Sequence, residues 1–169
     1  VLHLFHPALV HLTVAFLVAG GIVEAYGIAR RHEALERFGM ILVVAGTASL
    51  IPTTLAGFLA ENSLTLSDAG AAAVDQHERF GIMVLGVFLP LLLVRAWGRG
   101  RVPQSARWVY LAGLVVGIVL TVTVAYLGGR MVYALGVGVK KGSVPYFLFS
   151  IALNAYPAIC GFSRRRRTE

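Results

Sequence analysis

An all-α integral membrane protein is the fold class this sequence predicts, and three observations carry the prediction. Hydrophobic residues fill 57% of the 169 positions, charged residues only 14%, and the mean hydropathy is +0.77. A soluble domain would carry about 25% charged residues. The charges gather in short blocks between long apolar runs, and four of these runs approach or exceed the roughly 20 residues that cross a hydrocarbon core. The net charge of +7 does not point to nucleic acid, because the basic residues sit in blocks beside the apolar runs and no single face collects them.

The first span is expected from Pro7 to about Ala29, with proline at the helix start, where its missing N–H costs nothing. The run lacks a basic leader region and exceeds a signal-peptide core, so it reads as a retained helix. The second span runs from Phe38 to Ala60 without a charge. The third is clearest from Phe80 to Val94 and is expected to begin near Ala71, with Ser67 or Asp68 as its cap. The fourth covers Trp108 to Leu127 and has aromatic residues near both ends. A fifth apolar segment, "VPYFLFSIALNAYPAICGF" at 144–162, contains Pro145, Asn154 and Pro157 and reads as a kinked or interfacial helix. The predicted architecture is an up-down four-helix transmembrane bundle over residues 1–139, followed by a C-terminal membrane segment and basic tail over 140–169.

Arginines orient the bundle. Arg30, Arg31 and Arg37 follow the first span, and Arg95, Arg99, Arg101 and Arg107 separate the third from the fourth. Glu61, Asp68, Asp75 and Glu78 face only Arg79 between the second and third. Excess Lys and Arg mark the cytoplasmic side, which places the N-terminus outside. With a fifth crossing, Arg164 to Arg167 fall inside, while Arg130, Lys140 and Lys141 stay outside against the rule.

Three of the five histidines lie in "HLFHPALVHL". The first and third helices both start outside, and in a sequential antiparallel bundle they occupy diagonal corners. His11 and His77 are therefore expected at similar depth, able to meet across the core in a geometry that a porphyrin iron could bridge. His6 is the rival ligand. It lies five positions before His11, about 140° around a helix, so the two cannot share a face. Because it precedes Pro7, His6 is placed at the lip with His3, and His32 is placed in solvent. Gly57 and Gly81 would give a macrocycle room, and Arg79 and Arg130 would meet its propionates. Ionisable residues within a span are functional candidates. Hydrogen bonding alone, or a zinc or copper site of His6, His11, His77 and Glu78, remain as alternatives.

Glu24 is expected to pair with Arg30 or Arg31 near the helix end, with a proton- or quinone-site carboxylate as the functional alternative. Pro52, Thr53 and Thr54 mark a kink whose freed carbonyls the threonines satisfy. Gly113 with Gly117, Gly46 with Ser49, and Gly20 with Gly21 read as close-packing positions. "GGRMVYALGVGV", Gly128 to Val139, reads as a turn-forming cap that offers Arg130 and Tyr133 as hydrogen-bond donors to a cofactor. It lacks the order of a phosphate loop. A single cysteine, Cys160, excludes a disulfide framework. The absence of a Ser–His–Asp order, an H-E-x-x-H motif or a convincing carboxylate pair argues against a hydrolase. No convincing internal repeat is evident by inspection.

"HPALVH" at His6 to His11, His77 opening the third helix, and "GGRMVYALGVGV" together resemble a family of small bacterial integral membrane proteins classed as a domain of unknown function. The matching positions are His6, Pro7, Val10, His11, His77, Gly128, Gly129, Val132, Tyr133, Gly136, Val137, Gly138 and Val139, and the resemblance spans residues 3–139. Where relatives continue with Phe-Pro, this chain has Leu12 and Thr13. Relatives occur with Rieske iron–sulfur and c-type haem modules, which implies a respiratory or photosynthetic redox setting. The expectation is a membrane cytochrome b-like subunit of a bacterial electron-transfer complex, binding one haem b on the extracytoplasmic side of the cytoplasmic membrane. A Rieske or c-type cytochrome would be its partner and quinone a nearby acceptor. Electron transfer is expected of it rather than catalysis by the chain alone. The alternative is a cofactor-free anchoring subunit of a larger membrane complex.

Overall fold

A computed structural model describes residues 2–61, 64 and 66–138, with side chains from residue 6 onward. The expected second unit at 140–169, with the fifth segment, lies outside the described residues. Four long helices make up the fold: α1 (Leu2–Arg30), α2 (Glu33–Glu61), α3 (Asp68–Trp97) and α4 (Arg107–Tyr133), the last preceded by a 3₁₀ turn, Gln104–Ala106. All four are long and apolar enough to cross a bilayer. Their outer faces leave large side chains uncovered, among them Ile41, Ile82, Leu93 and Val119. Water penalises such continuous apolar surface, whereas lipid does not. Trp97 and Trp108 are exposed beside the arginine-rich loops at one end, as in an interfacial belt.

The helix limits have local causes. α1 begins before Pro7 rather than at it, so the proline sits inside its early turns. Its far end closes on Arg31 in the left-handed region (φ 55°), with His32 N–H donating to the Gly27 carbonyl at 2.8 Å. That is the 6→1 bond of a Schellman ending. α3 ends the same way: Arg99 has φ 52° and Gly100 N–H donates to the Arg95 carbonyl at 2.8 Å. Its start is capped by Ser67, whose hydroxyl accepts from Gly70 N–H, as the sequence suggested. α4 continues through Gly128 and Gly129 to Tyr133, so the first half of the expected cap is helix. Only the turn that follows, including Gly136 (φ 65°) and Gly138 (φ 73°), folds back over the bundle end.

The helices form two hairpins, α1–α2 and α3–α4, joined mainly by α1 against α4, with a lesser contact of α2 against α3. Missing side chains set the closeness of the first hairpin. A Cβ on Gly39 would lie 2.3 Å from the Glu24 backbone nitrogen, and one on Gly27 would lie 2.3 Å from that of Glu36. No side chain fits at either place.

The two hairpins are related residue by residue, a repeat that inspection of the sequence missed. His77 lies 71 positions after His6, and the same interval separates Leu17 from Phe88, Val43 from Leu114, Gly46 from Gly117 and Gly57 from Gly128. The contacts repeat with it. A Cβ on Gly46 would lie 2.8 Å from the Leu17 side chain, and one on Gly117 would lie 2.8 Å from the Phe88 ring. Leu17, Phe88, Val43 and Leu114 are all fully buried and form the waist of the bundle. Each hairpin thus faces the other across an approximate two-fold axis along the bundle.

Candidate functional site: a histidine pair on the two-fold axis

On one side of the waist the axis runs into a cavity of about 300 Å³. Much of its lining comes as equivalent pairs 71 positions apart: His6 and His77, Val10 and Gly81, Thr13 and Val84, Leu50 and Thr121, Thr53 and Val124, Ala60 and Met131. Val137 and Gly138 of the returning turn close part of its end, and Val137 reaches the start of α3 at Gly70.

The two imidazoles face each other with ring centres 6.4 Å apart and planes inclined by 83°. Each is seated on the backbone of its own hairpin partner. His6 Nδ1 lies 2.9 Å from the Thr53 carbonyl. A carbonyl only accepts, so Nδ1 carries a proton, and in the neutral ring Nε2 keeps its lone pair. The ring rests on Gly57, one turn further along α2, where a Cβ would lie 3.1 Å from His6 Cε1. His77 repeats the arrangement on α4. Its Nδ1 is buried and turned towards Val124 without completing a hydrogen bond of regular geometry. The ring rests on Gly128, where a Cβ would lie 3.2 Å from its Cε1.

Beneath His6 a hydroxyl cluster ties α1 to α2. Thr13 Oγ1 lies 2.8 Å from Ser49 Oγ and 2.9 Å from Thr53 Oγ1. Thr53 Oγ1 donates to the Ser49 carbonyl at 2.7 Å, within the helical stretch that contains Pro52. This bond goes to the carbonyl next to that of Ala48, the one Pro52 leaves without its helical donor, and it anchors the residue whose carbonyl holds His6.

The structure brings His6, not His11, to His77. His6 belongs to the stripe of α1 that also includes Val10, Thr13, Val14 and Leu17 and lines the cavity. His11, about 140° away, is exposed, with Nδ1 2.6 Å from the Pro7 carbonyl of its own helix. The two placements are exchanged because α1 starts ahead of Pro7 and carries His6 into the bundle. Arg79 is exposed and paired with Asp75 at 3.0 Å. Arg130 and Tyr133 point outward from the last turn of α4, and neither lines the cavity. The lining does include Glu61 and Glu78, whose side chains come within hydrogen-bonding reach of each other, and no Lys or Arg among the described residues. His32 is exposed and accepts from Leu35 N–H at 3.4 Å, at the start of α2.

The chemistry open to this site follows from the pair. A metal–imidazole bond is about 2 Å long, so an ion held end-on between two imidazoles sets the ring centres about 6 Å apart. The observed 6.4 Å matches that arrangement. Among the described residues no three His, Cys, Asp or Glu side chains gather as a metal polyhedron, so the alternative zinc or copper set of His6, His11, His77 and Glu78 is not brought together.

Across the waist the same axis passes through a buried ion cluster that sequence reasoning placed wrongly. Glu24 does not reach Arg30 or Arg31. Its Oε1 accepts from Arg95 Nε at 2.9 Å, from Arg95 Nη2, and from the Tyr110 hydroxyl at 2.7 Å. Arg95 Nη1 donates to Glu36 Oε1 at 2.8 Å and to the Gly100 carbonyl at 2.9 Å. Arg107 Nη2 caps α1 through the Ile28 carbonyl at 2.7 Å. The 71-residue interval was the available signal: Glu24 is equivalent to Arg95, and Gly39 to Tyr110.

No curated protein matches the sequence, and neither does any solved structure. A family model described as predicted membrane protein (DUF2231) matches residues 2–141. The match spans both hairpins, the histidine pair and the returning turn, and the chain belongs to the DUF2231 family of predicted membrane proteins.

Proposed function

We propose that the chain is a membrane cytochrome b-like subunit that carries electrons through one haem b held between His6 and His77. The observation that carries this reading is the imidazole pair itself: equivalent residues of two equivalent hairpins, 6.4 Å apart, in a cavity lined mostly by aliphatic side chains. The lining is paired about the same axis, so the two imidazoles would be offered to a haem from largely equivalent surroundings. The Nδ1–H of His6 on a backbone carbonyl is the outer-shell contact that orients a ligating histidine and leaves Nε2 for the metal.

When bound, the haem supplies one-electron chemistry, and the protein sets its potential through axial ligands, burial and hydrogen bonding. His6 and His77 would hold the iron, and Val10, Thr13, Leu50 and Val84 would exclude water from it. Glu61 and Glu78 put two carboxyl groups at the mouth, where no Lys or Arg of the described lining stands to meet the propionates. The waist of Leu17, Phe88, Val43 and Leu114 separates the site from the ion cluster, so the group would be held in one half of the membrane. By the distribution of arginines, that half is the extracytoplasmic one of a bacterial cytoplasmic membrane, where a Rieske or c-type haem protein is the exchange partner and quinone a further acceptor.

The test is a reduced-minus-oxidised absorption spectrum of the purified protein after haem loading, followed by extraction of the pigment. A low-spin Soret and alpha band is expected, lost in His6→Ala and in His77→Ala and kept in His11→Ala. Fully loaded preparations without either band would sink the reading in favour of a cofactor-free anchoring subunit.

A further inference from the structure

The orientation of the two imidazole rings is set by a device present once in each hairpin. His6 is packed on α2 between the Thr53 carbonyl, 2.9 Å from Nδ1, and the bare backbone of Gly57. His77 is packed on α4 between Val124 and the bare backbone of Gly128. In both cases the glycine lies four residues after the residue faced by Nδ1, one helical turn along. A ring in this seat has little freedom about its Cβ–Cγ bond: the glycine backbone holds one edge of each ring, and in His6 the Thr53 carbonyl also fixes one nitrogen. A Cβ at either glycine would press on the ring, at 3.1 and 3.3 Å from Cε1 and Nδ1 of His6, or 3.2 and 3.6 Å from those of His77, and the ring would have to shift by a few tenths of an ångström. The hairpins then meet with the two planes inclined by 83°.

We propose that Gly57 and Gly128 are the positioning residues of the histidine pair, each fixing one ring plane so that the two axial imidazoles stand nearly perpendicular. This rests on the haem reading above. Its consequence is electronic. Parallel imidazoles act together on one of the two iron d orbitals of π symmetry and split them. Perpendicular imidazoles act on both alike and leave them nearly degenerate. A low-spin ferric ion with nearly degenerate π orbitals gives a highly anisotropic magnetic signal with one dominant large g value, in place of a three-line rhombic spectrum.

Gly129 provides a control. It follows Gly128 on α4 but does not line the cavity, and a Cβ there would meet nothing within 4 Å. It therefore separates a change in ring seating from the general effect of adding a methyl group to α4.

The experiment is low-temperature electron paramagnetic resonance of the full chain, loaded with haem b and oxidised, beside its absorption spectrum. The wild type is expected to give the single large-g signal. Gly57→Ala and Gly128→Ala are each expected to keep the low-spin absorption bands and to shift the large-g feature towards the rhombic form, while Gly129→Ala leaves it in place. A rhombic wild-type spectrum would overturn the proposal. So would an unshifted signal in both loaded glycine variants, or an equal shift in Gly129→Ala. If a variant fails to fold, the wild-type spectrum still decides the ring angle and the other variant decides the role of its glycine. Absence of any haem band in the wild type is a different result, and sinks the parent reading instead.

Discussion

Glu24 and Arg95 occupy equivalent positions of the two hairpins, carry opposite charges, and bond to each other on the axis that relates them. Their side chains are 0% and 4% exposed, and Tyr110 donates to the same carboxylate oxygen. Glu36 and Arg107 repeat the inversion of charge at a second pair of equivalent positions. A copy of the first hairpin would bring Glu24 against Glu24, so the ion pair selects the second hairpin as its partner.

Removing one member of this pair leaves the other charge buried and uncompensated. Arg95→Leu should cost about 3–5 kcal/mol, and adding Glu24→Leu to it should recover most of the loss, because an apolar pair tolerates burial that a lone carboxylate does not. Thermal unfolding of both variants in detergent, followed by circular dichroism, checks the non-additivity. Equal instability of the single and double variants would contradict it.

Glycines of the bundle should divide sharply by what surrounds them. Gly39→Ala drives a methyl group into the α1 backbone at 2.3 Å, and forced overpacking of this kind costs about 1–3 kcal/mol or more. Gly129 has nothing within 4 Å of an added Cβ, so Gly129→Ala should be neutral or stabilising by up to about 1 kcal/mol through helix propensity. Unfolding midpoints of the two variants, measured side by side, provide the comparison.

Ser67 fixes the start of the helix that carries His77 through its bond to Gly70 N–H, 3.2 Å long. Ser67→Ala should destabilise the protein by about 0.5–2 kcal/mol and raise amide exchange in the first turn of α3. Ser67→Asp should restore both, since aspartate caps equally well and favours the helix N-terminus.

Space beside His77 is expected to limit what the cavity admits. Val10 and Gly81 are equivalent positions, one turn beyond their histidines, and only the glycine leaves its side open. Gly81→Leu should lower haem content per chain while helicity stays at the wild-type level, and Gly81→Ala should lower it far less. Pyridine-haemochrome titration against protein concentration measures both. Full occupancy in Gly81→Leu would show that the opening is not used.

Some of the site could be read along the chain. His77 was recognisable because its helix, its depth and its diagonal partner helix follow from hydropathy and loop charge. His6 was recognised as a rival and then misplaced, since proline at position 7 looks like a first helical residue. Only the path of α1 shows that the helix begins earlier. Glu24 could not be paired from sequence, because its partner lies 71 positions away. Local rules favour the arginines next to it over one on another hairpin.

The sequence by itself determined the membrane environment, the four spans and the glycines that let them approach. These are properties of composition and of hydrophobic run length, which act locally. Tertiary structure decided which histidine turns inward, that the two hairpins repeat one another about an axis, and that opposite charges and facing imidazoles meet upon it. Each of those depends on helix phase and on the packing of one hairpin against the other. A phase error of a single residue turns a side chain by about 100°, enough to exchange His6 for its neighbours on the lipid face.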